Sequence, residues 1–529
     1  MPKNADATPA ARAPINKWLI ALAVIPDVFL AVMDITVVNT AMPHMMGSLG
    51  QTLSDIAWVG TAYSIAEIIM LSMAGWWSAL LGRRTLLLIS TVVFAVSSIL
   101  CGQAHGFGEL LFFRVLQGLG GGSLIPIAQA TLRENFPPEE QGLAMGLFGM
   151  GVVVAPAIGP VLGGWLTDNY GWRWVFYINP PIAVVGFLMT IFFIWDPPYL
   201  KRGLKRVDWT GIALLATSLT TLQIVLERGQ EKDWFASTQI CLGFALAVVS
   251  LIALVFWELR SDEPIVDLRL LRDVPLSAGS TIAFITTMAL YGTTFLMPQL
   301  LQTIMGYTAY LSGLALLPRA LVLFSMMPLA GWLYNRVSPR ALIAGGCLIM
   351  AVSYHQLAYL STALSFWTLV PIMIVMGLGQ PFTFVTLSTV ALSGVEKKDL
   401  TTAASLFTLS RRVGGNVAYA LMATIVDRRT QFHRARLAES VSAFNPSFLA
   451  ARSHLAASLI QRGVPAALAP SQALGLIDAA INRQATFMSY NDSAWIMELF
   501  LLATLPVILL LPKRRAEAAA AAAAEEEAH

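Results

Sequence analysis

Residues 74–84 read AGWWSALLGRR, and residues 330–340 read AGWLYNRVSPR. Each stretch closes the second apolar run in a series of six such runs. The tripeptide GLG repeats at nearly the same separation, at residues 118–120 and 377–379, in the fourth run of each series. These repeats indicate a duplicated six-helix unit, a plan typical of membrane transporters, with chance similarity of apolar sequence as the alternative.

The amino-acid composition indicates a membrane protein. Of its 529 residues, 56% are hydrophobic and only 12% are charged, whereas soluble domains carry about 25% charged residues. The net charge of +3 comes from scattered basic residues, which does not suggest nucleic-acid binding. Cys101, Cys241 and Cys347 lie in separate apolar runs, which argues against a disulfide framework and a metal site. We expect an all-α polytopic membrane protein without metal or cofactor.

The chain has 14 apolar runs that could cross a bilayer, which takes about 20 residues each. They fall into a pattern of six, two and six. The predicted helices lie at 17–46, 54–81, 84–104, 107–132, 141–166 and 172–195; at 208–227 and 236–259; and at 276–303, 309–334, 340–360, 365–393, 401–426 and 489–512.

This pattern divides the chain into four parts. Residues 1–195 form an N-terminal six-helix half, and 196–275 form a linker with two extra transmembrane helices. Residues 276–512 form a C-terminal six-helix half with a long loop at 428–488, and 513–529 form a tail.

Basic residues in short loops mark the cytoplasmic side of a membrane protein. With this set of helices, only Arg173, Arg228 and Lys232 lie in short loops on the opposite side. We therefore predict a multi-pass protein with both termini in the cytoplasm and the 428–488 loop in the periplasm.

Four charged residues fall inside predicted helices of the first half, away from the helix ends. Asp27 and Asp34 are seven residues apart, which places them on one helix face, and Glu67 lies at about the depth of Asp34. The long side chain of Arg114 can reach toward that level. An intramembrane charge costs at least ~2.5–3.5 kcal/mol on insertion scales and so faces a cavity or a partner. We expect these four residues to form a proton relay, with a static buried ion pair as the alternative.

Further polar residues within the predicted helices are candidates for a substrate cavity between the two halves, because intramembrane polar groups mark transport pathways. We predict a cavity lined by Asn39, Gln117, Gln299 and Arg411. Further candidates in the second half are Arg319, Arg412 and Glu498.

The fifth predicted helix is rich in glycine and proline. Gly159 and Gly163 have the spacing that lets two helices approach closely. Pro156 and Pro160 remove backbone hydrogen bonds, which predicts a bending point. Static close packing would give the same glycine spacing, so the glycines alone do not indicate motion.

Several of these residues stand in motifs that resemble those of the major facilitator superfamily. The first helix carries MDITVVNTAMP at 33–43, and the fourth carries RVLQG at 114–118. A third motif, in the fifth helix, resembles one that is associated with efflux rather than uptake. Its residues here are Gly151, Pro156, Gly159, Pro160 and Gly163.

Within the superfamily, the chain resembles the 14-helix drug:proton antiporters of the EmrB/QacA type. The sequence DWF at 233–235, the segment 257–268 and FNP at 444–446 favour the EmrB branch. One motif departs: Ala79 stands where the superfamily usually has an aspartate. We expect the charge interactions that gate the cytoplasmic side to be weakened or replaced.

The resemblance implies the major facilitator fold and a proton-coupled antiporter of the bacterial inner membrane that exports drugs by alternating access. Its substrates would be hydrophobic or amphipathic compounds, among them antibiotics and uncouplers, and Arg114 would take part in proton transfer. It also implies a tripartite pump with a periplasmic adaptor protein and an outer-membrane channel. The sequence itself supports an adaptor only through the outer loop, which is longer than usual; an unoccupied flexible loop is the alternative.

Two alternatives stay open: a proton-coupled importer on the same fold and a non-transporting receptor. The fifth-helix motif favours export over import, and several protonatable residues at one depth favour transport over reception. The sequence contains no HExxH, GxSxG or P-loop motif, which argues against an enzyme and against an ATP-driven pump.

Overall fold

The computed structural model describes residues 16–196, 207–362, 365–439, 441–442 and 444–512. The predicted tail at 513–529 and the first part of the predicted linker, 197–206, lie outside these residues. Within the described residues the regular structure is helical, and the helices group into two compact units.

The first unit contains nine helices among its described residues, with Leu71–Met73 of the third helix grouped with the second unit. Their bounds are α1 Lys17–Leu49, α2 Leu53–Ile56, α3 Trp58–Leu81, α4 Arg83–Gln103, α5 Phe107–Gly121, α6 Leu124–Asn135, α7 Gln141–Tyr170, α8 Trp174–Tyr177 and α9 Asn179–Phe193.

The second unit also contains nine helices in the part of the chain that is described. Their bounds are α10 Trp209–Arg228, α11 Thr238–Arg260, α12 Val274–Gln299, α13 Ala309–Tyr334, α14 Pro339–Ala358, α15 Phe366–Val390, α16 Leu400–Ala438, α17 Pro446–Gln461 and α18 Ala469–Ile508. Three short 3-10 segments lie at 234–236, 268–272 and 397–399, and a π segment extends α12 over Leu300–Ile304.

Twelve helical segments of the described chain are long and apolar enough to cross a membrane. The other two predicted spans correspond to α7 and α16, which have 30 and 39 residues. Both are long enough for a bilayer, but α16 carries Arg411 and Arg412 within the predicted span. The protein is therefore a multi-pass membrane protein whose helices are compatible with the predicted count of 14.

Residues 428–488, predicted as a loop, are largely helical. The end of α16, all of α17 and the start of α18 lie within them. Arg429 Nε and His433 Nε2 of α16 lie 2.5 and 2.7 Å from Asp492 Oδ2 of α18, and Arg434 Nη2 lies 3.0 Å from Asp478 Oδ1. The predicted helices end where charged residues begin, because the prediction follows apolar runs. In the structure the helices continue beyond these points, because their charged side chains pair with each other.

Other carboxylates bind the arginines that follow α3, where Ala79 replaces the usual aspartate. Arg83 forms an ion pair with Glu134 of α6. The backbone N–H of Arg84 donates to Asp196 Oδ1 at 2.9 Å, and its guanidinium stacks 4.0 Å from the ring centre of Trp195. Acidic residues from elsewhere in the first unit thus contact both Arg83 and Arg84.

The two extra helices, α10 and α11, belong to the second unit and dock on α16. Asn416 Nδ2 of α16 donates to Gln223 Oε1 of α10 at 2.6 Å. Trp234, in the turn between α10 and α11, donates its indole N–H to Thr424 Oγ1 at 2.8 Å. These polar contacts fix the pair of helices against one side of the unit.

Close approach between α1 and α7 depends on glycine. A Cβ atom added at Gly163 would lie 2.9 Å from the carbonyl oxygen of Val37 and would also overlap the hydroxyl of Thr40. A Cβ atom at Gly159 would overlap Thr36. The GxxxG spacing predicted from the sequence therefore lies at a helix contact, as in other membrane helix pairs.

We expect Gly163→Ala to lower the melting temperature of the purified protein, because the new methyl group forces α7 away from α1. Gly164→Ala is the matched control, since a Cβ atom there meets nothing within 4 Å and the gain in helix propensity, up to about 1 kcal/mol, is the same. Thermal unfolding in detergent compares the two. Equal melting temperatures for the two variants would contradict the contact.

Candidate functional site

A fully buried ion pair joins α1 to α5 in the first unit. Asp34 of α1 is 0% exposed and Arg114 of α5 is 1% exposed. Arg114 Nη1 lies 2.6 Å from Asp34 Oδ2, and Arg114 Nε donates to the carbonyl oxygen of Val59 at 2.9 Å. The guanidinium also lies 4.3 Å from the ring centre of Tyr63. Such a pair is stable away from water only when further hydrogen bonds satisfy both charges.

Two amide side chains supply those hydrogen bonds. Gln117 Nε2 and Asn179 Nδ2 donate to Asp34 Oδ1 at 2.8 and 2.7 Å. Gln117 Oε1 accepts from Arg114 Nη1 at 2.8 Å. Ser98 Oγ of α4 accepts from Asn179 at 2.9 Å and donates to the carbonyl oxygen of Phe176 at 2.8 Å. The ion pair therefore joins α1, α4, α5 and α9.

Asp27 lies seven residues before Asp34 on α1 and is also 0% exposed. It accepts a hydrogen bond from Thr91 Oγ1 at 3.0 Å, and Gly186 packs against it. Its Oδ2 atom has no hydrogen-bond partner among the described residues, and none of their basic groups lies within ion-pair distance. Asp27 is thus a buried carboxyl group without a compensating cation.

Glu67 of α3 is 3% exposed and has interactions of its own. Its backbone nitrogen faces Gly118, four residues after Arg114 on α5. It does not contribute to the hydrogen bonds that surround Asp34.

The four predicted cavity residues fall in different surroundings. Gln117 lies inside the ion-pair network, whereas Asn39 and Gln299 are exposed. Arg411 stacks 4.4 Å from the ring centre of Phe384 and lines a small cavity of the second unit. Asn39 and Gln117 belong to the first unit, and Gln299 and Arg411 belong to the second.

The three further candidates of the second half, Arg319, Arg412 and Glu498, also have neighbours within the second unit. Arg319 Nη2 donates to Gln380 Oε1 at 3.1 Å. Glu498 lies 3.2 Å from His355 Nδ1 of α14. Arg412 also interacts with neighbouring groups.

Sequence analysis did not identify Asn179 or Ser98 as site residues. Asn179 precedes two prolines at the start of α9, a pattern typical of a helix start. Ser98 is one of several hydroxyl residues in an apolar helix. The only available signal was that both polar side chains fall inside predicted spans. No described group of three or more His, Cys, Asp or Glu residues could hold a metal ion.

We expect Asp34→Asn and Arg114→Gln each to lower the free energy of unfolding by about 3–5 kcal/mol, because each leaves the other charge buried and unpaired. The double variant should lose less than the sum of the two. Chemical unfolding of the purified protein measures these differences. Lys17→Gln, which breaks a half-exposed ion pair with Glu140, is the control and should cost no more than about 1 kcal/mol. Additive losses would show that Asp34 and Arg114 are not coupled.

Comparison with known proteins identifies the family. Residues 28–419 match the Major Facilitator Superfamily. The chain is 36% identical to the multidrug export protein EmrB of Escherichia coli (strain K12), over 88% of this chain and 90% of that protein. It is 32% identical to the fatty acid resistance protein FarB of Neisseria gonorrhoeae, over 91% and 93%. The fold resembles the proton:xylose symporter XylE, with a TM-score of 0.58 and 13% identity over 92% and 95% of the two chains. The chain therefore belongs to the major facilitator superfamily and, within it, to the EmrB-type multidrug transporters.

Proposed function

We propose that the protein exports hydrophobic and amphipathic drugs in exchange for protons, as an antiporter of the bacterial inner membrane with both termini in the cytoplasm. Relatives named for multidrug export, at 36% and 32% identity, support drugs as the transported class. The observation that supports proton coupling is that α1 holds two buried carboxyl groups, Asp27 and Asp34, in different surroundings.

Proton exchange needs a carboxyl group that can both gain and lose a proton. Asp34 accepts hydrogen bonds from Arg114, Gln117 and Asn179, so both of its carboxylate oxygens already have donors. Asp27 has the hydroxyl groups of Thr91 and Thr190 beside it, and its Oδ2 atom has no hydrogen-bond partner among the described residues. Asp27 is therefore the group that exchanges the proton in this proposal, and the Asp34–Arg114 pair holds α1 in place. Glu67 is the second candidate.

The contact between α1 and α7 connects the antiporter motif to these carboxyl groups. Gly159 and Gly163 pack on Thr36 and Thr40, which follow Asp34 within two helical turns. A shift of α7 during alternating access would move α1 directly, because the glycines leave no space between the helices. This contact gives the motif a mechanical role in the exchange of drug for proton.

The energy of one proton is sufficient. A charge that crosses a membrane potential of about 100 mV releases ~2.3 kcal/mol. That free energy supports roughly a 50-fold concentration gradient of a neutral drug.

We also propose that the protein is the inner-membrane part of a tripartite pump with a periplasmic adaptor protein and an outer-membrane channel. The segment within 428–488 supports a docking role, because it exposes apolar side chains in its helices and turns. Phe444 is 94% exposed, and Leu468, Leu474 and Leu476 are 44–52% exposed. Co-purification tests this contact. The adaptor should co-purify with the wild-type protein and should be lost when these leucines are replaced by serine.

Proton release on drug addition tests antiport. We expect hydrophobic drugs to discharge an imposed pH gradient in proteoliposomes that contain the wild-type protein. Asp27→Asn should abolish the discharge while drug binding is retained, because the protein keeps the site but loses the exchangeable proton. Asp168→Asn is the matched control, since Asp168 of α7 is 70% exposed, and it should behave as wild type.

The same assay shows how the proposal fails. If no drug in a broad panel moves protons in wild type, the protein is not a drug:proton antiporter. If Asp27→Asn keeps full discharge while Glu67→Gln loses it, antiport stands and the proton carrier is Glu67.

A further inference from the structure

The carboxyl group of Asp27 lies between side chains of two other helices. Thr91 of α4 is 1% exposed, and its Oγ1 atom lies 3.0 Å from Asp27 Oδ1. Thr190 of α9 is 0% exposed, and its hydroxyl group also lies beside this carboxyl group. Gly186, one helical turn before Thr190, leaves the space, because a Cβ atom there would lie 2.5 Å from Asp27 Oδ1. Asp27 therefore meets hydroxyl groups, whereas Asp34 meets N–H groups.

The charged residues of the surrounding helices lie further away. On α1, Asp34 follows Asp27 by seven residues, roughly 10 Å along the helix. On α4, Arg84 precedes Thr91 by seven residues, again roughly 10 Å. α9 contains no charged residue, and the charged residue of α7 is Asp168, near its C-terminal end. Among the described residues, hydroxyl groups are therefore the polar partners of Asp27.

Thr91 has two hydrogen-bond acceptors for a single proton. Its Oγ1 atom lies 3.0 Å from Asp27 Oδ1 and 2.9 Å from the carbonyl oxygen of Leu87, four residues earlier on α4. A threonine hydroxyl donates one hydrogen bond and accepts others through its lone pairs. Thr91 therefore donates to one of the two oxygens at a time, and a bond to the carbonyl four residues earlier is usual for threonine inside a helix. When Thr91 donates to Leu87, its lone pairs are available to Asp27.

A carboxyl group that exchanges a proton needs a partner that serves both of its states. The charged form only accepts hydrogen bonds, whereas the neutral form also donates one, and a buried polar group without a partner is costly. The three donors of Asp34 are nitrogen atoms of Arg114, Gln117 and Asn179, which cannot accept a hydrogen bond. A hydroxyl group meets both requirements by rotation about one bond, without movement of a helix.

We propose that Thr91 is the positioning residue for the exchangeable proton of Asp27. When Asp27 is charged, the Thr91 hydroxyl donates to Oδ1. When a proton binds to Oδ1, the new O–H group donates to Thr91 Oγ1, and the Thr91 proton turns to the carbonyl oxygen of Leu87. Thr91 itself gains and loses no proton. This inference rests on the proposed function for the role of Asp27, and it adds the group that supports Asp27 in both states.

Infrared difference spectra between acid and alkaline pH test the proposal on the full-length protein in lipid nanodiscs, without drug. The carbonyl-stretch band of neutral Asp27 is identified by its loss in Asp27→Asn, and it should lie at the frequency of a hydrogen-bonded carboxylic acid. Thr91→Val has nearly the same shape but no hydroxyl group. Its band should shift to a higher frequency, because a carboxylic acid that loses a hydrogen bond absorbs at a higher frequency. Thr91→Ser keeps the hydroxyl group and should restore the wild-type frequency.

Drug-driven proton release in proteoliposomes gives the second readout. Thr91→Val should slow it about fivefold, because a buried carboxyl group loses one hydrogen bond, and Thr91→Ser should restore most of the rate. Thr167→Val is the matched control. Thr167 of α7 is also buried, and its hydroxyl group donates to the carbonyl oxygen of Gly163 on its own helix at 2.6 Å. This variant should keep the wild-type band and the wild-type rate.

Two results would overturn the proposal. One is a wild-type spectrum in which the Asp27 band is absent or lies at the frequency of a carboxylic acid without hydrogen bonds, and the other is an unshifted band in Thr91→Val. The first needs no Thr91 variant, so it decides the matter even if Thr91→Val does not fold.

The two readouts separate this inference from the proposed function. If the wild type exchanges drug for protons and Thr91→Val does so at the same rate, antiport stands and the role of Thr91 fails. If the band shifts in Thr91→Val and no drug moves protons in the wild type, Thr91 supports neutral Asp27 and the proposed antiport fails.

Discussion

The buried ion pair between Asp34 and Arg114 constrains the first unit more than any other contact described. Each charge is buried to within 1% of its surface, so separation of the two would leave an uncompensated charge in an apolar environment. The pair can form only if α1, α4, α5 and α9 meet at one level, because Gln117, Asn179 and Ser98 complete it. Glycines of α7 then bring that helix against Thr36 and Thr40 of α1.

The two units differ in how their intramembrane charged groups are paired. In the first unit, Arg114 is satisfied by a carboxylate and two further acceptors, and the unpaired group is a carboxyl, Asp27. In the second unit, the unpaired groups are the guanidinium groups of Arg319 and Arg411. Under the proposed function, the first unit carries the exchangeable proton on Asp27.

Much of this arrangement could be predicted from the sequence. Apolar runs located the membrane helices, and the depths of Asp34 and Arg114 in those runs predicted that the two could meet. The GxxxG spacing predicted a close helix contact at Gly159 and Gly163, which the structure shows on α1. The family resemblance was confirmed by the relatives at 32–36% identity.

Other features depend on tertiary contacts that no local pattern encodes. Gln117 was expected in a cavity, but it binds Asp34 and Arg114, because only the packing of α5 on α1 brings its amide to them. Glu134 and Asp196 contact Arg83 and Arg84 from more than 50 residues away in the sequence. The extension of α16 and α18 beyond the apolar runs relies on ion pairs such as Arg429 with Asp492, which join residues 63 apart in sequence.

Infrared difference spectroscopy on drug binding tests the central claim, that Asp27 carries the exchangeable proton while Asp34 stays paired with Arg114. Addition of drug to the protonated protein should remove one carbonyl-stretch band of a neutral carboxylic acid. This band should be absent in Asp27→Asn and present in Glu67→Gln. A band that persists in Asp27→Asn would contradict it, because another carboxyl group would then hold the proton.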